Sequence, residues 1–114
     1  MEFRKEDYPN AVFLDHPLLK HKITQLRAVD TSCNMFRDLV KEIAVIEGYE
    51  ALRHIPTHLV EVTTPIEKSF EPVVDRKSLC FVPILRAGLG MADGMNELVP
   101  GAICGHIGLY RAEK

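Results

Sequence analysis

The chain reads as an α/β domain: N-terminal helices, then a β-arm, then the opening β–α–β unit of a parallel sheet. Three observations carry this reading. Apolar residues recur at helical spacing through the first fifty positions; Leu59–Thr63 alternates and is rich in β-branched residues; and two almost continuously apolar runs, Ser78–Leu85 and Ala102–Leu109, flank a short helical pattern. Near-continuous apolar runs are what strands covered on both faces show, and a crossover between two such strands is nearly always right-handed.

Asp15-His16-Pro17 starts the first helix, a capping residue with proline at the first helical position. Leu18, Leu19, Ile23 and Leu26 carry it to about Ala28. Asp30-Thr31-Ser32 supplies the next cap, and Phe36, Leu39, Val40, Ile43 and Ile46 form one stripe of a helix reaching about Ala51. Pro56 ends this helical part, residues 15–55. Leu59–Thr63 and the run from Phe70 to Val74 then predict an antiparallel arm over 58–75, closed by the turn Asp75-Arg76-Lys77. Residues 78–111 hold the β–α–β unit, its helix running from Met91 to Leu98 and stopped by Pro100-Gly101. The order describes a single partial domain over 1–114, with two parallel strands too few to make a sheet covered on both faces.

Composition narrows the function. The length of 114 residues suits one small domain, and 46% hydrophobic with 26% charged residues is ordinary for a globular protein. A net charge of −2 without a basic stripe argues against nucleic acid and anionic membrane as partners. No apolar run approaches the ~20 residues of a membrane span. The mixed charges of the opening residues do not resemble a secretory signal, so the expected location is cytoplasmic. Cys33, Cys80 and Cys104 lack CxxC spacing; Cys80 and Cys104 lie in apolar runs and read as buried small hydrophobes. The five histidines show no HExxH pattern, which predicts no metal site.

The stretch Phe81-Val82-Pro83-Ile84-Leu85-Arg86-Ala87-Gly88-Leu89-Gly90-Met91 carries the chemistry. It places Arg86 at the carboxyl end of a strand, where ligands of α/β sheets bind. Gly88 and Gly90 are expected to supply positive φ and a close backbone approach, and the following helix N-terminus favours an anion. Arg86 adds a permanent, fork-shaped cation suited to phosphate oxygens. Arg111, after the second strand, should emerge at the same edge, close enough to share a polyphosphate since neighbouring strands lie ~5 Å apart. Three other readings stand beside this one. A dinucleotide fingerprint nearly matches Gly88-Leu89-Gly90-Met91-Ala92-Asp93, with Asp93 in the third glycine's place and Glu113 as the ribose acid. A solvated Arg86 in an ordinary βα turn, and an exposed Arg111, are the plainer ones. Asp93 and Glu97 read as helix-surface residues, or as acid/base groups.

At these residues the chain resembles the uracil phosphoribosyltransferases. The matching pieces are His16-Pro17-Leu18-Leu19-Lys20-His21-Lys22, Asp30-Thr31-Ser32 before Phe36-Arg37, Tyr49-Glu50-Ala51, Thr64-Pro65, and Val82 through Met91. Asp93-Gly94, Val99-Pro100 and Gly108-Leu109-Tyr110-Arg111 complete them. The resemblance implies the start of a parallel-sheet type I phosphoribosyltransferase fold, truncated here. It further implies transfer of phosphoribosyl from phosphoribosyl pyrophosphate (PRPP) to uracil, giving UMP and pyrophosphate with Mg²⁺ in pyrimidine salvage.

By the same resemblance Arg86, Ala87, Gly88 and Arg111 are the PRPP- or pyrophosphate-binding residues, with no catalytic residue or protein metal ligand assigned. It implies homo-oligomers, and GTP regulation in some members that no residue here can be given. The family's acidic-ATGGS loop and its late uracil-binding segment would lie beyond Lys114. The 114-residue polypeptide is therefore expected to be inactive alone. The alternatives are a non-catalytic module that pairs with a full-length subunit, or a non-catalytic phosphate-binding fragment.

Overall fold

Helix α1 (Pro17–Arg27) begins where proline and a cap coincide, but the cap is His16: its Nδ1 accepts the Leu18 N–H at 3.1 Å. Asp15, a candidate for that role, instead pairs with Lys20 at 2.5 Å. The Thr31 hydroxyl donates to the Gln25 carbonyl, tying the interhelical loop to the end of α1. Helix α2 (Cys33–Ala51) starts at Ser32, whose Oγ accepts the Met35 N–H at 3.1 Å. Its expected stripe is buried at Leu39 and Ile43, joined by Ala44 and Gly48, whereas Phe36 stays half exposed. This computed structural model describes residues 4–112.

The strands β1 (His58–Thr63) and β2 (Lys68–Val73) form the antiparallel arm, in register from His58 opposite Val73 to Thr63 opposite Lys68. Thr64 closes the hairpin: its N–H donates to the Glu67 carbonyl at 2.9 Å, and its Oγ1 accepts the Glu67 N–H at 3.0 Å. The Asp75 carboxylate accepts the Lys77 N–H at 3.0 Å and starts a single 3₁₀ turn, Arg76–Ser78.

Beyond that turn the sheet is parallel, as expected, but each anticipated strand is interrupted. The segments are β3 (Cys80–Phe81) and β4 (Ile84–Leu85), then helix α3 (Leu89–Leu98), then β5 (Ile103–Cys104) and β6 (Ile107–Gly108). β3 pairs with β5 and β4 with β6; Cys80 faces Ile103 and Ile84 faces Ile107, the same offset of 23 residues in both pairs. Leu79, Phe81 and Pro83 carbonyls accept the N–H groups of Ile103, Gly105 and Ile107 at 2.9, 3.0 and 3.1 Å. One register therefore runs through all four segments. The interruption sits at Pro83, because the ladder calls for an amide donor there and proline has none.

The prediction of strands buried on both faces does not hold for the described residues. Exposure alternates along Cys80–Leu85: Cys80, Val82 and Ile84 are open, Phe81 and Leu85 half-buried, and Pro83 buried. Ile103 and Ile107, opposite Cys80 and Ile84, are each 53% exposed. One side of β3 and β4 is thus partly covered, whereas β5 and β6 are exposed at every residue. The cysteine expectation fails with it: Cys80 and Cys104, like Cys33, are exposed.

What joins the sheet unit to the helices is the crossing of α3 over α2. A Cβ placed on Gly94 would lie 2.5 Å from the Lys41 carbonyl oxygen and 2.8 Å from Ala44 Cβ. Gly48 is likewise closed in by the Met95 and Leu98 side chains. An ion pair at 2.6 Å between Lys41 and Glu97 spans the same interface, and Lys22–Glu42 at 3.1 Å joins α1 to α2. The buried apolar residues Leu19, Leu39, Ile43, Ala44 and Ala92 all lie in this helical cluster. The radius of gyration, 18.1 Å, exceeds the ~13 Å of a compact domain of this length. No helix among the described residues is long and apolar enough to cross a membrane.

Two predictions follow from this packing. Gly94→Ala should destabilise the chain by about 1–3 kcal/mol in urea unfolding, because the backbone of α2 leaves no room for the methyl; an unchanged midpoint would refute the close approach. The second concerns acid. Hydrogen bonding to Lys20 lowers the Asp15 pKa, and the bidentate Arg53 fork lowers that of Glu50. A lowered carboxylate stabilises above its ordinary value, 3.8 for Asp15 and 4.5 for Glu50, and that stabilisation is lost as pH falls through the lowered folded value. Both groups are exposed, so the effect is small. Glu50→Gln should lower the melting temperature slightly at neutral pH, where the Arg53 pair is intact, and flatten the acid limb below about pH 4.5.

Candidate functional site

The site is built where β4 stops. Ile84 and Leu85 hold the ladder to β6, and the chain then turns through Arg86, Ala87 and Gly88 into α3. The Leu85–Arg86 peptide is cis. Two amides close the turn inward: Gly88 N–H donates to the Ile84 carbonyl at 2.8 Å, and Leu89 N–H to the Arg86 carbonyl at 3.1 Å. The first turn of a helix has amides without intrahelical acceptors. Here those of Gly90 and Met91 find no backbone acceptor among the described residues. No side chain caps α3.

The glycines serve packing rather than left-handed backbone. Helix α3 begins at Leu89, two residues earlier than Met91, which puts Gly90 inside it and Gly88 at its cap. Gly88 has φ −71°, so the positive φ expected at Gly88 and Gly90 is absent; among described residues only Gly101 has it, at 90°. A Cβ on Gly88 would meet the Ile84 nitrogen at 2.8 Å and oxygen at 2.9 Å. One on Gly90 would stand 3.2 Å from Val40 Cγ1 of α2. Hence the turn folds tightly onto its own strand, and the helix behind it leans on α2.

Arg86 and Ala87 are exposed, and Gly88 is half-buried. The Arg86 side chain takes part in none of the ion pairs among the described residues. Since Leu85 faces Gly108 in parallel register, Arg86 lies one position and Arg111 three positions past the paired residues of adjacent strands. The fold thus brings both arginines to one carboxyl edge, and both are exposed there. This arrangement offers cationic forks and free amides, which suits an anion with several oxygens.

Neither acid of α3 joins that edge. Glu97 is engaged by Lys41, which leaves it on the α2 side, and Asp93 is exposed beside the same lysine. The acid/base reading of this pair finds no support in that placement. Glu113 lies outside the described residues, and Asp93 stands where the dinucleotide fingerprint needs its third glycine. No group of three or more His, Cys, Asp or Glu side chains that could hold a metal occurs among the described residues. The donor set at the turn is therefore wrong for a protein-held Mg²⁺, which takes oxygen ligands.

Sequence reasoning anticipated the turn, and it placed Arg86 and Arg111 after the two parallel strands, where they stand. It missed the small-residue crossing at Gly48, Ala44 and Gly94 that fixes the turn's helix. A spacing signal was present, glycines at 90 and 94 on one helical face, but nothing in the pattern names the surface that a glycine face meets.

Comparison with known proteins gives this geometry a context. The sequence profile described as uracil phosphoribosyltransferase matches residues 13–114. Uracil phosphoribosyltransferases of Paraburkholderia phytofirmans and Paraburkholderia xenovorans are each 50% identical over 106 residues, 93% of this chain and 49% of theirs. That of Burkholderia mallei is 49% identical over the same extent. The solved structure of an Aquifex aeolicus protein superposes with a TM-score of 0.83 at 40% identity, over 90% of this chain and 50% of its own. The chain spans about half the length of the curated relatives it matches. With the profile covering all but the first twelve residues, the α/β chain described above belongs to the uracil phosphoribosyltransferase family.

Proposed function

We propose that this chain carries the pyrophosphate-binding side of a uracil phosphoribosyltransferase, the enzyme that joins uracil to PRPP to give UMP and pyrophosphate. The observation that carries the reading is the placement of Arg86 and Arg111 past the paired ends of β4 and β6, beside an uncapped helix N-terminus. Family membership narrows the anion from any phosphate to the diphosphate of PRPP.

In this reading the Arg86 guanidinium and the Gly90 and Met91 amides receive the diphosphate, with Ala87 and Gly88 shaping the turn and Arg111 reaching in from the next strand. As the C–O bond to the anomeric carbon breaks, negative charge grows on the departing diphosphate. Fixed cations at that position stabilise the transition state more than the bound substrate. No side chain here needs to act as nucleophile, acid or base. Mg²⁺ would arrive on the diphosphate, because Mg²⁺ is commonly held through substrate phosphates. A cytoplasmic enzyme of pyrimidine salvage fits the family. The second reading, a non-catalytic module pairing with a full-length subunit, has no specific observation in its favour.

The binding half of this proposal is tested by calorimetry with inorganic pyrophosphate. Arg86→Ala should weaken binding roughly 10-fold or more, since hydrogen bonds to charged groups contribute ~1.5–3 kcal/mol. Arg86→Lys should recover only part, having the charge without the fork. Equal affinity for wild type and Arg86→Ala would overturn the assignment. Catalysis is tested separately: the 114-residue polypeptide with uracil, PRPP and Mg²⁺ should release no UMP, and turnover at an enzyme-like rate would show that these residues suffice.

A further inference from the structure

Helix α2 carries an arginine where its face toward α3 is otherwise small or apolar. That face is marked by Val40 beside Gly90, by Ala44 and the Lys41 carbonyl beside Gly94, and by Gly48 against Met95 and Leu98. Seven residues take a helix almost twice around, so Arg37 lies on the same face as Ala44, one turn beyond Val40. The two helices run in the same direction, since Gly90 meets Val40 and Gly94 meets Ala44, an offset of 50 residues in both. The same offset sets Arg37 level with Ala87, which belongs to the turn and not to α3. Helical side chains lean toward the N-terminus, which carries the Arg37 guanidinium toward the space ahead of the first amides of α3.

Among the described residues nothing neutralises this charge. Arg37 is exposed and takes part in none of their ion pairs. The nearby acids are drawn to Lys41 instead: Glu97 pairs with that lysine at 2.6 Å, and Asp93 and Asp38 add to the raising of its pKa. Two repulsions are left. Lys41 stands at i+4 from Arg37, and the N-terminus of α3 is the positive end of its dipole. An anion seated ahead of α3 relieves the second and gives the guanidinium a partner.

We propose that Arg37 is a third cationic ligand of the diphosphate, closing on it from the α2 side while Arg86 and Arg111 hold it from the sheet edge. The inference rests on the diphosphate reading above and deepens it, by adding a residue from an element which that reading leaves out. Arg37 holds the anion through charge and hydrogen bonds alone, and no bond to it forms or breaks. Its planar fork suits two phosphate oxygens at once, where a lysine would offer a point charge.

Calorimetry with inorganic pyrophosphate tests this. Arg37→Ala should weaken binding about 5- to 10-fold, and Arg37→Lys should restore only part of the loss. Arg53→Ala, just past the far end of α2 and about 20 Å away, should bind as the wild type does. A merely structural role for Arg37 predicts a fall in the urea midpoint. Loss of an unpaired cation at i+4 from Lys41 should instead leave that midpoint unchanged or slightly raised. Guanidinium Nε–H resonances give a direct reading: those of Arg37 and Arg86 should shift together across a pyrophosphate titration. Wild-type affinity in Arg37→Ala, with Arg86→Ala weakened, would overturn the inference and leave the diphosphate reading standing. So would an Arg37 resonance that pyrophosphate does not move, whatever the affinity of the variant. Wild-type affinity in both variants, or no binding by the wild-type chain, would overturn the two together.

Discussion

The structure depends on one close contact, the crossing of α3 over α2 at Gly94. A helix brought so near the Lys41 carbonyl that a methyl would not fit can occupy few positions along its neighbour. Interiors are close-packed and shift in discrete steps, so such a contact fixes a whole element and not a single residue. Gly90 against Val40 and the Met95–Leu98 enclosure of Gly48 extend the same seam in both directions. The Lys41–Glu97 pair lies across it, but both partners are partly exposed and such pairs contribute little. Shape holds this interface, and charge only decorates it.

From that seam the position of the turn follows. The N-terminus of α3 is one residue past Gly88, and Gly88 is folded back on Ile84 through a 2.8 Å hydrogen bond. Arg86 is therefore held between a strand anchored in the ladder and a helix anchored on α2. Preorganised cations need no reordering when charge appears, which is why a rigid turn suits the proposed role better than a flexible loop. Arg111 is fixed only from one side, by its strand, and follows it by three residues.

The sheet itself is the least finished part. Its register is continuous through four short segments, and the break at Pro83 reflects a missing donor and not a change of direction. Its β5 and β6 strands are exposed throughout, and the buried hydrophobic core Leu19, Leu39, Ile43, Ala44 and Ala92 lies in the helices. The arm adds area without adding core, with Leu59 and Phe70 each 67% exposed. An expanded radius of gyration expresses the same imbalance between apolar content and apolar burial.

Much of this was legible in the residues alone. Element order, the antiparallel arm, the parallel pairing and the placement of Arg86 and Arg111 at one edge follow from local rules: caps, proline, and periods of 2 and 3.6 residues. Those rules act within a few positions, so they determine elements and the directions in which they run. Three things were decided only by tertiary contact. His16 caps α1 while Asp15 turns to Lys20, a choice between adjacent residues that spacing cannot make. Gly88 and Gly90 relieve crowding rather than adopt positive φ, because what a glycine accommodates depends on the neighbour brought against it. The apolar strands are largely open, β5 and β6 at every residue, because periodicity records the surroundings a strand is suited to, whereas exposure depends on the elements that reach it.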